Sequence, residues 1–306
     1  MITDIRLAGQ QLAAPRFDTP KKLISWMGAI QAQDYAMARW AVGIRLKSAT
    51  ARSVGEAFSR GEILRTHVMR PTWHLVAAED IRWMLKLSAR RIRSANESLA
   101  KGRQLELTEQ LHYRCDRLLE KMLEGNRNLT KQQIGEELNR QGIAADTPRL
   151  TRLLMRAETE AVVCSGPFSG GRQTYALLEE RVPPVPELHP DEALAKLATA
   201  YFRSHSPASL QDFVWWSGLS VTEARHSVGL IGRSLTAERF GQRELFVHES
   251  CRAAETSGVP LYLLPAYDEY LIGYKDRTDV LRPEHRARAQ DVLLAHHVIQ
   301  SRWANP

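Results

Sequence analysis

Thr130-Lys131-Gln132-Gln133 opens the stretch that decides the fold. A threonine followed three residues later by a glutamine is a capping box: the two side chains satisfy backbone N–H groups that a helix start leaves open. The helix it starts runs through Arg140 and is stopped by Gly142. Pro148 opens a second helix, with Arg149, Arg152 and Arg156 on one face and Leu150, Leu153, Leu154 and Ala157 on another. Two short strands follow, near 161–164 and 173–177, separated by Gly166, Gly170 and Gly171. Helix, turn, basic helix and glycine-broken hairpin are the layout of a winged helix-turn-helix.

The same plan recurs outward from this unit. Pro183, Pro184, Pro186 and Pro190 crowd into a linker, residues 183–190. Beyond it come helices at 191–203 and 209–217, the second stopped by Gly218. Ser220 with Glu223 is another capping box, for a helix through Gly232, and a hairpin follows at 235–240 and 243–248. Upstream, Thr19-Pro20 starts a helix with Leu23, Ile24 and Met27 on one apolar face, and Asp34 caps the next, through Trp40 and Val42. Residues 63–76 read as a hairpin broken at Arg70-Pro71, whose two histidines and two arginines alternate with apolar residues as on a ribbon with one wet face. The expected fold is mainly α with short β-hairpins (α+β), built as three tandem winged helix-turn-helix units. Its expected divisions are 1–125, 126–182, the linker 183–190, and 191–306.

Composition narrows the function. Forty-two Lys and Arg against 35 Asp and Glu leave a net charge of +7, which favours a polyanionic partner, chiefly nucleic acid. Cys115, Cys164 and Cys251 are odd in number and far apart, which argues for a reducing compartment and against a disulfide framework or zinc site. No run approaches the length of a membrane helix and residues 1–14 do not form a signal peptide, so a cytoplasmic protein is expected. Residues 81–103 hold seven Lys or Arg and one acid, Glu97. On a helix, Ile81, Leu85, Ile92 and Leu99 share a face while Arg82, Lys86, Arg90 and Arg93 form a separate stripe, either a solvated surface or a set of phosphate contacts.

Ile30-Gln31-Ala32-Gln33-Asp34-Tyr35 is poor core material. A glutamine offers one carbonyl acceptor and two amide donors and stays neutral, so two of them suit a reaction that needs positioning and polarity more than a strong base. Asp34 is a spare carboxylate that could serve as base, set against its place as a helix cap. His67 and His74 could donate to a phosphate or a base edge, set against ordinary half-exposed strand positions.

Three segments together resemble the winged-helix DNA glycosylase family of the azinomycin-resistance enzyme AlkZ and of YcaQ. They are Gln31-Ala32-Gln33, the hairpin Arg65-Thr66-His67-Val68-Met69-Arg70-Pro71-Thr72-Trp73-His74, and Leu264-Pro265-Ala266-Tyr267-Asp268-Glu269-Tyr270-Leu271-Ile272-Gly273-Tyr274-Lys275-Asp276-Arg277. The resemblance covers nearly the whole length. It implies a concave, positively charged surface for duplex DNA carrying alkylated purines, excision of N7-alkylated purines and unhooking of interstrand crosslinks. It maps the catalytic element onto Gln31 and Gln33, and makes the hairpin the element that reaches the lesion through the minor groove. The second glutamine is the version seen in azinomycin-resistance-like members, where the broad-specificity branch has Asp. Relatives also continue into further strands after the last helix, here expected to end near Arg302, so the chain reads as truncated at Pro306.

An N7-alkylguanine already carries a positive charge and leaves as a neutral base, so two amide carbonyls that hold water and stabilise the sugar cation suffice. The expectation is a monofunctional, monomeric, nucleoid-associated enzyme with no cofactor and no metal. DNA contacts are expected from Arg65, Arg70, Arg82, Lys86, Arg90, Arg93, Arg149, Arg152 and Arg156. The block around Asp268, Glu269, Tyr270, Asp276 and Arg277 reads as structural, with Lys275 and Arg277 as the acids' partners and the tyrosines packed, and Trp215-Trp216 reads as packing. The alternatives are a tandem winged-helix transcription regulator without catalysis, which leaves Gln31 and Gln33 without a task, and a damage-binding protein that does not cut.

Overall fold

The helix-start signals act where the sequence places them. In a computed structural model describing residues 2–251, 261–281, 283–285 and 297–300, the chain runs through α1 (Ile2–Gly9), α2 (Pro20–Met27), β1 (Ile30–Gln31), α3 (Tyr35–Gly43) and α4 (Ala51–Ser59). Next come β2 (Ile63–His67), β3 (Trp73–Ala77), α5 (Ile81–Gly102), α6 (Glu109–Leu123), β4 (Leu129–Thr130), α7 (Lys131–Arg140), α8 (Thr147–Thr159), β5 (Val163–Ser165), β6 (Thr174–Leu177) and α9 (Leu178–Arg181). The rest is α10 (Pro190–His205), α11 (Leu210–Ser217), α12 (Val221–Leu230), β7 (Leu235–Phe240), β8 (Arg243–His248), β9 (Leu261–Leu264), α13 (Glu269–Ile272) and β10 (His297–Gln300). Two units result, Met1–Gly55 with His189–Pro306, and Glu56–Leu188.

In the Glu56–Leu188 unit, Thr130 and Gln133 form both halves of the capping box at the start of α7, and Asp146 caps α8 through the Arg149 N–H. The small antiparallel sheet has the order β4-β6-β5, with Thr130 opposite Thr174 and Cys164 opposite Ala176. Its core joins Cys115, Leu119 and Leu123 of α6 to Ile134 and Leu138 of α7 and Leu150, Leu153, Leu154 and Ala157 of α8. The expected division at 125/126 therefore runs through one core. Caps mark where α7 begins, but the apolar face of α6 has to be buried, and α7 and α8 bury it. The second boundary between the units falls at Leu188/His189.

The 63–76 hairpin forms as expected, with β2 and β3 antiparallel and Thr66 opposite His74. Its wet face does not: both strands are almost wholly buried, His67 and His74 included. On α5, Ile81, Leu85 and Ile92 are buried as read, but Leu99 is 48% exposed, and Asn96 and Ala100 take the buried positions of the last turns. The Asn96 amide donates to the Arg152 carbonyl.

The other unit repeats the helix–hairpin plan. Ser209 with Asp212 and Ser220 with Glu223 form capping boxes on α11 and α12, and β7 pairs with β8. Ala208 and Phe246 exchange backbone hydrogen bonds, adding a short third edge beside β8. The helix expected to end near Arg302 is replaced at residues 297–300 by β10, antiparallel to β9. Residues 301–302 lie outside the described residues. Among the described residues no helix is long and apolar enough to cross a membrane.

Candidate active site

Gln31 reaches its position through a turn that only its neighbours explain. Thr19 caps α2, whose Leu23, Ile24 and Met27 are buried, and the helix ends at Gly28 with φ +80° and ψ −57°. An added Cβ at Gly28 would stand 2.9 Å from the Ala200 Cβ and 3.5 Å from Trp216, so glycine is demanded by backbone and by space. Two residues on, β1 carries Ile30 and Gln31. Gln31 is 9% exposed, while Gln33 and Asp34 are exposed. Asp34 then caps α3, its Oδ1 accepting from the Ala36 N–H at 2.8 Å and the Met37 N–H at 3.1 Å. The aspartate set beside the glutamines is committed to the helix start.

Behind Gln31 lies a buried carboxylate that sequence reading assigned only to structure. The Gln31 backbone N–H donates to Glu269 Oε1 at 2.7 Å, and the Trp216 indole N–H donates to Glu269 Oε2 at 3.0 Å. Glu269 is fully buried. His205 Nε2 stands 3.6 Å from Glu269 Oε2, and the His205 ring stacks on Tyr201 with centroids 4.6 Å apart. Gly273 keeps this arrangement tight, since a Cβ there would meet the Glu269 carbonyl at 2.6 Å and the His205 ring at 2.7 Å.

The neighbouring acid is equally committed. Arg45 and Asp268, both fully buried, make a two-pronged ion pair at 2.6 and 2.8 Å, and Arg45 also donates to Gln10 Oε1. Gln10 in turn donates to the Tyr274 hydroxyl, which donates to the His205 carbonyl at 2.9 Å. Burial pushes the Tyr274 and Tyr270 phenols up, so both stay protonated. The block 264–277 is thus a packed support, as its tyrosines suggested. Its acids do not pair with Lys275 and Arg277, however: Arg45 takes Asp268, Arg243 takes Asp276 at 3.3 Å, and Arg277 donates to the Leu271 carbonyl. Trp216 is core, while Trp215 is 42% exposed with its indole N–H on the Ile272 carbonyl.

In the Glu56–Leu188 unit the candidate DNA contacts are less free than the sequence suggests. The stripe on α5 has no acid among its members, but acids come to it from elsewhere. Arg82 pairs with Glu179, Lys86 with Glu187, and Arg93 with Glu160 through two nitrogens, while Arg90 is exposed. Arg156 is 8% exposed and sits between Glu109 and Glu160 at 2.7 Å from each. Arg149 donates to the Glu106 carbonyl. Burial and the nearby Arg103 lower the pKa of Arg152.

His67 does not face solvent as expected: its Nδ1 lies 2.6 Å from buried Glu158 and its ring packs on Trp73 at 3.9 Å. His74 is fully buried, with Nδ1 2.9 Å from the Thr72 carbonyl oxygen. Both histidines hold the hairpin together from inside. Arg65 lies over Trp73 and bonds Gln173, and Arg70 is half-buried at the hairpin tip beside exposed Pro71. Burial pushes the Cys115 and Cys164 thiols up to about 12, so neither supplies a thiolate nucleophile.

The fold of capped helices and short hairpins is shared with a solved structure. The structure of Streptomyces sahachiroi DNA glycosylase AlkZ superposes with a TM-score of 0.73 over 98% of this chain and 84% of that one, at 22% identity. An interstrand DNA cross-link repair glycosylase from Streptomyces sahachiroi is 26% identical over 303 residues, 91% of this chain and 78% of the relative. The AlkZ-like DNA glycosylase family model matches residues 24–293. The chain belongs to the AlkZ-like DNA glycosylase family.

Proposed function

We propose that this protein is a monofunctional DNA glycosylase that hydrolyses the N-glycosidic bond of cationic N7-alkylated purines, including guanines joined in interstrand crosslinks. The observation that carries the reading is the Gln31-Ala32-Gln33 loop. It is short, polar and uncharged, it runs from the last residue of β1 toward α3, and the carboxylate next to it in sequence, Asp34, is occupied as a helix cap. An N7-alkylated guanine needs no proton to depart. What remains is to hold the attacking water and to face the sugar's developing positive charge with fixed dipoles, and the carbonyl oxygens of Gln31 and Gln33 have the chemistry for both. The name of the Streptomyces relative supports the extension to crosslinks.

Binding rests on the three helix–hairpin units as tandem winged helices on duplex DNA, with the Arg65–His74 hairpin reaching the lesion from the minor groove. Arg90, Arg65 and Arg70 lead the phosphate contacts. Arg82, Lys86, Arg93 and Arg156 can meet a phosphate only by giving up an acid partner, which cancels much of the gain. The test is release of free 7-methylguanine from methylated duplex DNA. Wild type releases it, and Gln31→Ala and Gln33→Ala each lose about 100- to 1000-fold in rate. Tight DNA binding with no base released by wild type would overturn the enzyme reading.

A further inference from the structure

We infer that Glu269 is a positioning residue for catalysis: it fixes the backbone of Gln31 and so the place of the glutamine loop. The inference rests on the glycosylase reading and extends it to a residue 238 positions away in sequence. Gln31 is the last residue of a two-residue strand that passes straight into the loop carrying Gln33. Its N–H donates to Glu269 Oε1 at 2.7 Å, which ties the strand end where the loop begins to a buried acid. Such a bond to a buried carboxylate is shorter and stronger than one between neutral groups.

The carboxylate and the backbone that carries it are both held. The Trp216 indole N–H binds Oε2, Gly273 packs against the Glu269 backbone, and Arg45 clamps the adjacent Asp268. An acid with one oxygen on a core tryptophan and the other on the glutamine loop transmits the rigidity of the core to the loop. The chemistry also explains why an acid stands here. Two N–H donors converge on the two oxygens, and only a carboxylate accepts with both. A glutamine would turn its NH2 toward one of the donors, whichever way its amide lay.

The experiment is single-turnover release of 7-methylguanine by the full chain, alongside DNA affinity and thermal melting. The variants are Glu269→Gln, Trp216→Phe, and the two combined. Glu269→Gln should keep wild-type DNA affinity and lose about 10- to 100-fold in rate, the scale expected when a reacting group is displaced by about an ångström. The double variant should recover part of that rate. With the indole donor gone, the amide oxygen can face the Gln31 N–H and the NH2 can face the space the indole N–H leaves. A purely structural role would give melting changes without that recovery.

Unchanged rate in Glu269→Gln, or a double variant no faster than the single, overturns the inference while wild-type activity leaves the glycosylase reading intact. If Glu269→Gln fails to fold, Trp216→Phe decides, because it loosens the carboxylate without removing it: a several-fold loss of rate supports the role and a wild-type rate overturns it. No release by wild type defeats the underlying reading instead.

Discussion

Replacing Gly28 with alanine should destabilise the unit that carries Gln31 by about 3 kcal/mol. At φ +80° and ψ −57°, an alanine would hold a strained backbone at a cost of roughly 1–3 kcal/mol. Its Cβ would also lie 2.9 Å from the Ala200 Cβ and 3.5 Å from Trp216, and forcing a methyl into a packed core typically costs about 1–3 kcal/mol. The stiffer unfolded chain returns only about 0.4–1 kcal/mol. For a unit of this size the net corresponds to a fall in melting temperature of roughly 6–12 °C. The assay is thermal melting followed by circular dichroism, with Gly55→Ala as control. Gly55 lies within α4 at ordinary φ, and a Cβ there meets nothing within 4 Å, so that change should be neutral or stabilising by up to about 1 kcal/mol. A Gly28→Ala protein that melts with wild type would refute the reasoning, because both penalties come straight from the geometry.

Further outcomes follow from the ion pairs and the buried acids. Arg45→Met should cost about 3–5 kcal/mol, since it leaves Asp268 charged and buried; denaturant titration measures it, and a loss below about 1 kcal/mol would contradict the pairing. Arg156→Met should leave the salt dependence of DNA affinity unchanged, whereas Arg90→Ala should lower the slope of log K against log salt by about 0.9; equal slope changes would show that Arg156 does leave Glu109 and Glu160 for phosphate. Burial first, and then the nearby charge of Glu160, raise the Asp116 carboxyl to about 7. Its folded form therefore holds a proton that the unfolded form releases near the ordinary 3.8, so stability from this group is present at low pH and lost as pH rises through 7. Asp116→Asn should accordingly raise the melting temperature more at pH 8 than at pH 5, and equal shifts at both would contradict that burial.

Local signals carried the reading of the elements. Thr130 with Gln133, Ser220 with Glu223, Thr19-Pro20 and Asp34 each start a helix where the sequence says, because a cap is satisfied within a few residues of itself. Hairpins at 63–76 and 235–248 were legible for the same reason. Partners distant in sequence were not. The stripe Arg82, Lys86 and Arg93 looked uncompensated because Glu179, Glu187 and Glu160 arrive from α8 onward, about 70 to 100 residues later. Alternation along the hairpin suggested a wet face. Tertiary burial overrode it, and Glu158 of α8 meets His67 inside the unit.

The same limit hid Glu269. Its motif is visible in the sequence, but only the folded chain brings its carboxylate to the Gln31 N–H. Spacing could not have found that bond. One signal was available, an acid inside an otherwise aromatic and apolar block, since a buried charge must have partners.

The central claim is that an uncharged glutamine loop without a general acid suffices because the base leaves already cationic. The most direct test places 7-methylguanine and uracil in the same duplex sequence and follows release of each free base under single-turnover conditions. The account predicts release of 7-methylguanine and no release of uracil above background, because uracil departs as an anion unless the site stabilises or protonates it. Release of uracil at a comparable rate would contradict it, and would require a general acid, which Gln31 and Gln33 do not provide.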